Sequence, residues 1–184
     1  MTRADPSAGG DLAPSFLELL LNFVTFQAGW FACVLGAAHG RPELGVVAVA
    51  LIAAGWLVAA PRPRALAMLL LITGVVGLCW DSWLTVFGLV AYRPGPLTPP
   101  LAPWWILALW VLLATTLHRS MRWLQSGLLL PAVLGAIAAP LSYLAGARLG
   151  ALTLVQLRPA LLAQAAGWAV LLPALLRLAR RLNV

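Results

Sequence analysis

At 184 residues, 62% hydrophobic and only 9% charged, the chain is far from a soluble domain, where roughly a quarter of residues carry charge; it reads as an all-α polytopic membrane bundle with no soluble domain. Its net charge of +7 rests on twelve basic residues, all arginine, set in ones, twos and threes at the ends of apolar runs, and that scatter argues against a nucleic-acid partner. Cys33 and Cys79 sit alone in apolar stretches, and His39 and His118 fall at opposite membrane faces, so neither a metal nor a cofactor is expected.

A membrane-spanning helix needs about 20 apolar residues. Six segments fit or nearly fit: Phe16–Ala38, Leu44–Ala60, Ala65–Val90, Ala102–Leu117, Leu124–Ala145 and Ala160–Leu176. Residues 1–15 read as a disordered tail with no cleavable leader, 16–178 as the six-helix domain and 179–184 as a short basic tail. The all-arginine, Ala/Leu/Gly/Pro-rich composition suits a GC-rich bacterial genome. With six passes, eight arginines flank the side of the termini and four the other side, which places both termini in the cytoplasm of an inner-membrane protein. The proline-rich stretch Ala91–Pro103 is then a stiff external loop.

In the first segment, Glu18, Asn22, Thr25, Gly29, Cys33 and Gly36 share a stripe. Asn22 and Gln27 lie about 140° apart, so one of the two can share a face with a site elsewhere. Either amide serves as well for ordinary interhelical hydrogen bonding. In the third segment, Asp81 is the only charge between Met68 and Tyr92. A carboxylate at bilayer depth costs about 2.5–3.5 kcal/mol on the insertion scale, so it faces a partner, the bundle interior or a wet cavity. Gly74, Gly77, Thr85 and Gly88 share its stripe.

The fourth segment ends in Thr115, Thr116, His118, Arg119 and Arg122, a basic end suited to anionic headgroups, either as a solvated flank or as a phosphate clamp. In the fifth, Gly135, Ala139, Ser142 and Gly146 form a small-residue stripe, and Gly146 and Gly150 have the spacing of close helix approach. Pro140 breaks the backbone ladder just before Ser142 and Tyr143. Arg148 is the expected counter-charge for Asp81, as a structural lock or as part of a substrate site. Trp104, Trp105 and Trp123 are placed like interfacial belts, while Trp30, Trp80 and Trp83 lie deeper, walling a cavity or facing lipid.

Several features together resemble a family of small bacterial inner-membrane proteins known only as a domain of unknown function. They are Asn22 and Phe23, Phe26 and Gln27, and Gly29 to Phe31; Asp81; Pro103 and Trp104, Leu109 and Trp110, and Thr115 to Ser120; then Pro140 to Tyr143, Gly146 and Leu149 to Ala151. The resemblance implies a role near membrane lipids, in the neighbourhood of lipid-modifying enzymes, and brings no catalytic residues with it.

The expected function is therefore membrane-lipid binding or modification in a polar intramembrane cavity. Asp81 is the candidate general base or headgroup-orienting group, and Tyr143 and Ser142 the candidate hydrogen-bond donors. Asn22, Gln27, Trp30, Trp80, Thr115 and Arg148 are the candidate substrate contacts, and Arg119 and Arg122 the headgroup contacts. The candidate partners are membrane lipids and a lipid-modifying enzyme. A proton-coupled or small-solute transporter with Asp81 as the titrating group is the second reading, and a non-catalytic subunit or scaffold the third. The arginine asymmetry makes a direct prediction: reporter fusions after Val184 and within the Ala91–Pro103 loop give opposite compartment signals. Equal signals show a miscounted helix.

Overall fold

A computed structural model describes residues 14–95 and 101–184; residues 1–13 of the expected N-terminal tail, and Pro96, Pro99 and Pro100 of the expected external loop, lie outside the described residues. In chain order the elements are α1 (Phe16–Ala38), α2 (Pro42–Val58), α3 (Pro63–Val86), β1 (Val90–Tyr92), α4 (Trp104–Leu117), a 3₁₀ turn (Arg122–Ser126), α5 (Leu129–Arg148), β2 (Leu152–Leu154) and α6 (Leu157–Arg181). The fold is the expected all-α membrane bundle. Four helices, α1, α3, α5 and α6, are long and apolar enough to cross a bilayer, while α2 and α4 are shorter.

Local chemistry sets the boundaries. Ser15 caps α1 in a reciprocal box: its Oγ accepts from the Glu18 N–H, and its own N–H donates to Glu18 Oε2 at 2.8 Å. Pro42 and Pro63 open α2 and α3, where a missing N–H is no loss. The third helix stops at Val86, short of the expected Val90. Gly88 takes φ +62°, and the N–H groups of Gly88 and Leu89 fold back on the Thr85 and Leu84 carbonyls in a Schellman termination. Gly150, at φ +89°, ends α5 the same way on the Ala147 and Gly146 carbonyls, so it is a turn residue and not part of a close-approach pair.

Each of these turns launches a three-residue strand. β1 and β2 pair antiparallel, Val90 opposite Leu154 and Tyr92 opposite Leu152, and the ribbon is extended by Arg93 N–H to Ala151 O and Val155 N–H to Leu89 O. Neither strand was expected from the sequence. Other boundaries differ as well: residues 124–128 belong to the 3₁₀ turn and a linker, α5 continues to Arg148, and α6 starts at Leu157 and runs on through Arg181, taking up part of the expected basic tail.

The shortest helix is the innermost. Ten of the fourteen residues of α4 are buried, and α1, α2 and α3 pack around it, while α5 and α6 pack chiefly on each other. The result is a four-helix group and a two-helix hairpin joined along a seam. At one end of the molecule the start of α1, the α2–α3 turn, the residues after α4 and the end of α6 border one basin; the β-ribbon marks the other end. The small residues are packing surfaces. A Cβ on Gly77 would run into the Trp110 indole, one on Gly135 into the Trp168 backbone and one on Gly167 into the Trp80 ring.

Gly77→Ala therefore forces Trp110 to move and destabilises the protein by about 1–3 kcal/mol, the usual range for overpacking. Gly55→Ala, where an added Cβ meets nothing within 4 Å, leaves thermal unfolding in detergent unchanged or slightly raised. Equal melting temperatures for the two variants contradict this packing.

Candidate functional site

Asp81 is fully buried, and its carboxylate accepts three hydrogen bonds from three different elements. Tyr92 of β1 donates its hydroxyl to Oδ1 at 2.5 Å, Tyr143 of α5 donates to the same oxygen, and Trp110 of α4 donates its indole N–H to Oδ2 at 2.6 Å. The two tyrosine hydroxyls are 3.4 Å apart. Aromatic contacts hold the donors: Trp105 meets the Tyr92 ring edge-on at 5.9 Å, and Trp110 stacks on Trp168 of α6 at 4.7 Å.

Beside this cluster, in the seam, is a half-open cavity of about 110 Å³. Phe26, Trp30 and Val34 line it from α1, Asp81 from α3, Trp105, Ile106, Leu109, Trp110 and Leu113 from α4, Ser142, Tyr143 and Gly146 from α5, Leu152 from β2 and Trp168 from α6. The walls are mainly apolar. Trp30 donates its indole N–H to Ser142 Oγ at 3.3 Å, linking α1 to α5 between two lining residues. Trp105 and Trp168 both belong to the lining, and their buried indole N–H groups have no hydrogen-bond partner among the described residues.

The structure thus brings together Asp81, Tyr143, Ser142 and Trp30, and separates the other candidates from them. Asn22 is buried elsewhere: it donates to the Thr115 carbonyl at 3.1 Å and accepts from Ser120. Thr115 lies about 7.5 Å further along α4 than Trp110, five residues at about 1.5 Å each, and its own hydroxyl returns to Leu112 O at 2.7 Å. Gln27 is half-buried and does not line the cavity. Trp80 lies outside the lining and donates to Gln164 Oε1 of α6 at 3.3 Å.

The expected pairing of Asp81 with Arg148 does not form. Arg148 sits exposed at the end of α5, and neutral donors surround the carboxylate instead. A helix terminus facing water solvates a guanidinium at no expense, whereas bringing it to Asp81 would strip that water away.

Tyr92, Trp105, Trp110 and Trp168 were missed as site residues. Tyr92 and Tyr143 are the only tyrosines in the chain, which was a usable signal, since a tyrosine hydroxyl in an apolar setting needs a partner. The tryptophans carried no such mark, because a lipid-facing indole and a cavity-lining one look alike in sequence.

Arg119 and Arg122 border a second, larger space, the basin at the opposite end, of about 960 Å³. Arg119 is mostly buried. Its Nη1 lies 3.5 Å from Glu18 Oε1, its guanidinium sits 4.6 Å over the Trp56 ring, and its Nε has no partner among the described residues. His118 beside it is buried, and burial together with the Arg119 charge pushes it down to about 4, so the ring is neutral at physiological pH. Neither ring nitrogen makes a well-formed hydrogen bond, although the Ala114 carbonyl one turn back lies near.

Residues 19–174 match the model of a family described as a protein of unknown function (DUF2878). The chain belongs to that family. The match runs from α1 into α6, so in this DUF2878 protein both the Asp81 cluster and most of the basin fall within the family's own extent. No curated protein and no solved structure matches the chain.

The Asp81 geometry makes a clear prediction. Asp81→Asn replaces an acceptor oxygen with a donor amide facing hydroxyl or indole donors, and lowers stability by about 1–3 kcal/mol. Arg148→Gln, at an exposed position, changes stability by less than about 0.5 kcal/mol. Thermal unfolding of both and of the double variant checks this; recovery of Asp81→Asn by Arg148→Gln would restore the ion pair to consideration.

Proposed function

We propose that this protein is a bacterial inner-membrane protein, basin end toward the cytoplasm, that binds a membrane lipid or lipid-like molecule in the seam cavity. The observation that carries this reading is the combination of an apolar aromatic wall with two wall indoles, Trp105 and Trp168, whose covered N–H groups, just behind that wall, have no partner among the described residues. A buried donor without an acceptor costs about 1–3 kcal/mol. An acceptor-only group on an otherwise apolar molecule, such as the ester carbonyl of an acyl chain, removes that cost.

The size supports a partial occupant. A dry apolar cavity of ~150 Å³ takes up benzene, so about 110 Å³ holds a ring or a few methylenes of a longer chain. The remainder of such a molecule lies in the bilayer. Entry is sideways between α1 and α5, which meet sparsely apart from the Trp30–Ser142 hydrogen bond. Asp81 and Tyr143 then form the polar wall that orients the ligand.

Leu109, a half-buried lining residue of α4, tests this without touching a hydrogen bond. Leu109→Phe fills the cavity, so the protein keeps its fold and loses a co-purifying lipid that mass spectrometry finds in the parent. Trp168→Phe removes one waiting donor and weakens retention of that lipid several-fold. Identical lipid content in the parent and Leu109→Phe proteins rules out occupation of the cavity.

A further inference from the structure

The basin is a separate feature from the seam, and its chemistry points to a different kind of group. Among the described residues, four arginine side chains border it, Arg62, Arg119, Arg122 and Arg180, against one glutamate side chain. That glutamate is already engaged: Glu18 Oε2 accepts from the Ser15 N–H at 2.8 Å in the α1 cap, and only Oε1 reaches Arg119, at the long distance of 3.5 Å. Arg62 spends one N–H on the Asn183 carbonyl at 2.7 Å.

The floor of the basin is where polar groups are left waiting. Arg119 is about nine-tenths buried by its side chain, yet its Nε has no acceptor among the described residues. His118, 8% exposed, has neither ring nitrogen in a well-formed hydrogen bond. A guanidinium offers five donors and a neutral imidazole one donor and one acceptor. Glu18 and the Trp56 face satisfy this cation only in part, and an anion offering several acceptor oxygens completes it.

We infer that the basin binds a phosphomonoester-class anion, with Arg119 and His118 at its floor and Arg62, Arg122 and Arg180 around its rim. The excess of guanidinium groups over carboxylate side chains in the described lining suits a ligand with more than one negative charge, and arginine forks match phosphate oxygens two at a time. A single carboxylate leaves most of those donors unused. The same chemistry is carried by a lipid, as a phosphatidate headgroup, and by free phosphate in solution. This site does not depend on the seam reading, since its residues and its ligand chemistry are different.

The test uses the full-length protein in detergent, titrated with dihexanoyl phosphatidate, dihexanoyl phosphatidylglycerol, dihexanoyl phosphatidylcholine and inorganic phosphate, followed by phosphorus NMR and calorimetry. Phosphatidate binds more tightly than the diester phosphatidylglycerol, and phosphatidylcholine does not bind. Competition by inorganic phosphate at comparable concentration identifies a soluble phosphate as the source; binding by phosphatidate alone identifies a lipid headgroup. Arg119→Gln weakens binding at least tenfold. Should that variant fail to fold, Arg122→Gln combined with Arg180→Gln, both at exposed rim positions, carries the test with the same expected loss. Affinity for phosphatidate equal to that for phosphatidylcholine, or unchanged in the rim double variant, overturns the proposal.

Discussion

One carboxylate organises the ribbon end of the molecule. Asp81 is buried among apolar helices, where a carboxylate without partners is among the most unfavourable groups a membrane protein can hold. Its three donors come from β1, α4 and α5, so satisfying it requires three separate parts of the chain to arrive together. Interhelical hydrogen bonds in membranes are individually modest, about 0.6–2 kcal/mol. Their effect here comes from convergence: moving any one donor leaves the same buried group short.

That requirement makes sense of the β-ribbon. Tyr92 reaches Asp81 only because the chain leaves α3 by a tight glycine turn at Gly88 and runs back over the bundle as β1. β2 follows an equivalent turn at Gly150 and pairs with it. The ribbon ties the α5–α6 hairpin to the four-helix group at one end, and the Trp110–Trp168 stack and the Trp80–Gln164 hydrogen bond tie them along the seam. With tyrosine, tryptophan and aspartate meeting in a seam between two helix groups, a cavity beside them is a packing consequence, since flat rings at this junction do not fill it as interlocking aliphatic side chains would.

The helices were legible because their signal is large: long apolar runs bounded by arginine and proline. Asp81, Tyr143, Ser142 and Trp30 were legible because a polar or amphipathic group in such a run must meet something. The facing of Asn22 and Gln27 was not, since helices apolar on every side lack the contrast that tells interior from lipid in a soluble protein. β1 and β2 escaped because three residues are too few for an alternating pattern to stand out, and Val90 looked like the tail of a helix. The pairing of Asp81 with Arg148 was expected because opposite charges were the only electrostatic information available. Sequence does not show that three neutral donors stand closer.

The separation of the two spaces bears on what the protein can do. Between the seam cavity and the basin lies a packed layer in which Asn22, Leu66, Leu69, Leu112 and Thr115 are all at most 1% exposed. Asn22 ties that layer across from α1 to the Thr115 carbonyl and Ser120. A solute passing lengthwise through the bundle would have to dismantle both this layer and its hydrogen bonds. The two spaces have separate linings, with no residue in common among those described. A ligand held sideways in the seam needs no connection between them. Nor does an anion in the basin, since that space opens at the end of the bundle where the arginines gather. The described residues thus divide into a mainly apolar aromatic recess toward the ribbon end and a basic basin at the other, each built from its own set of side chains.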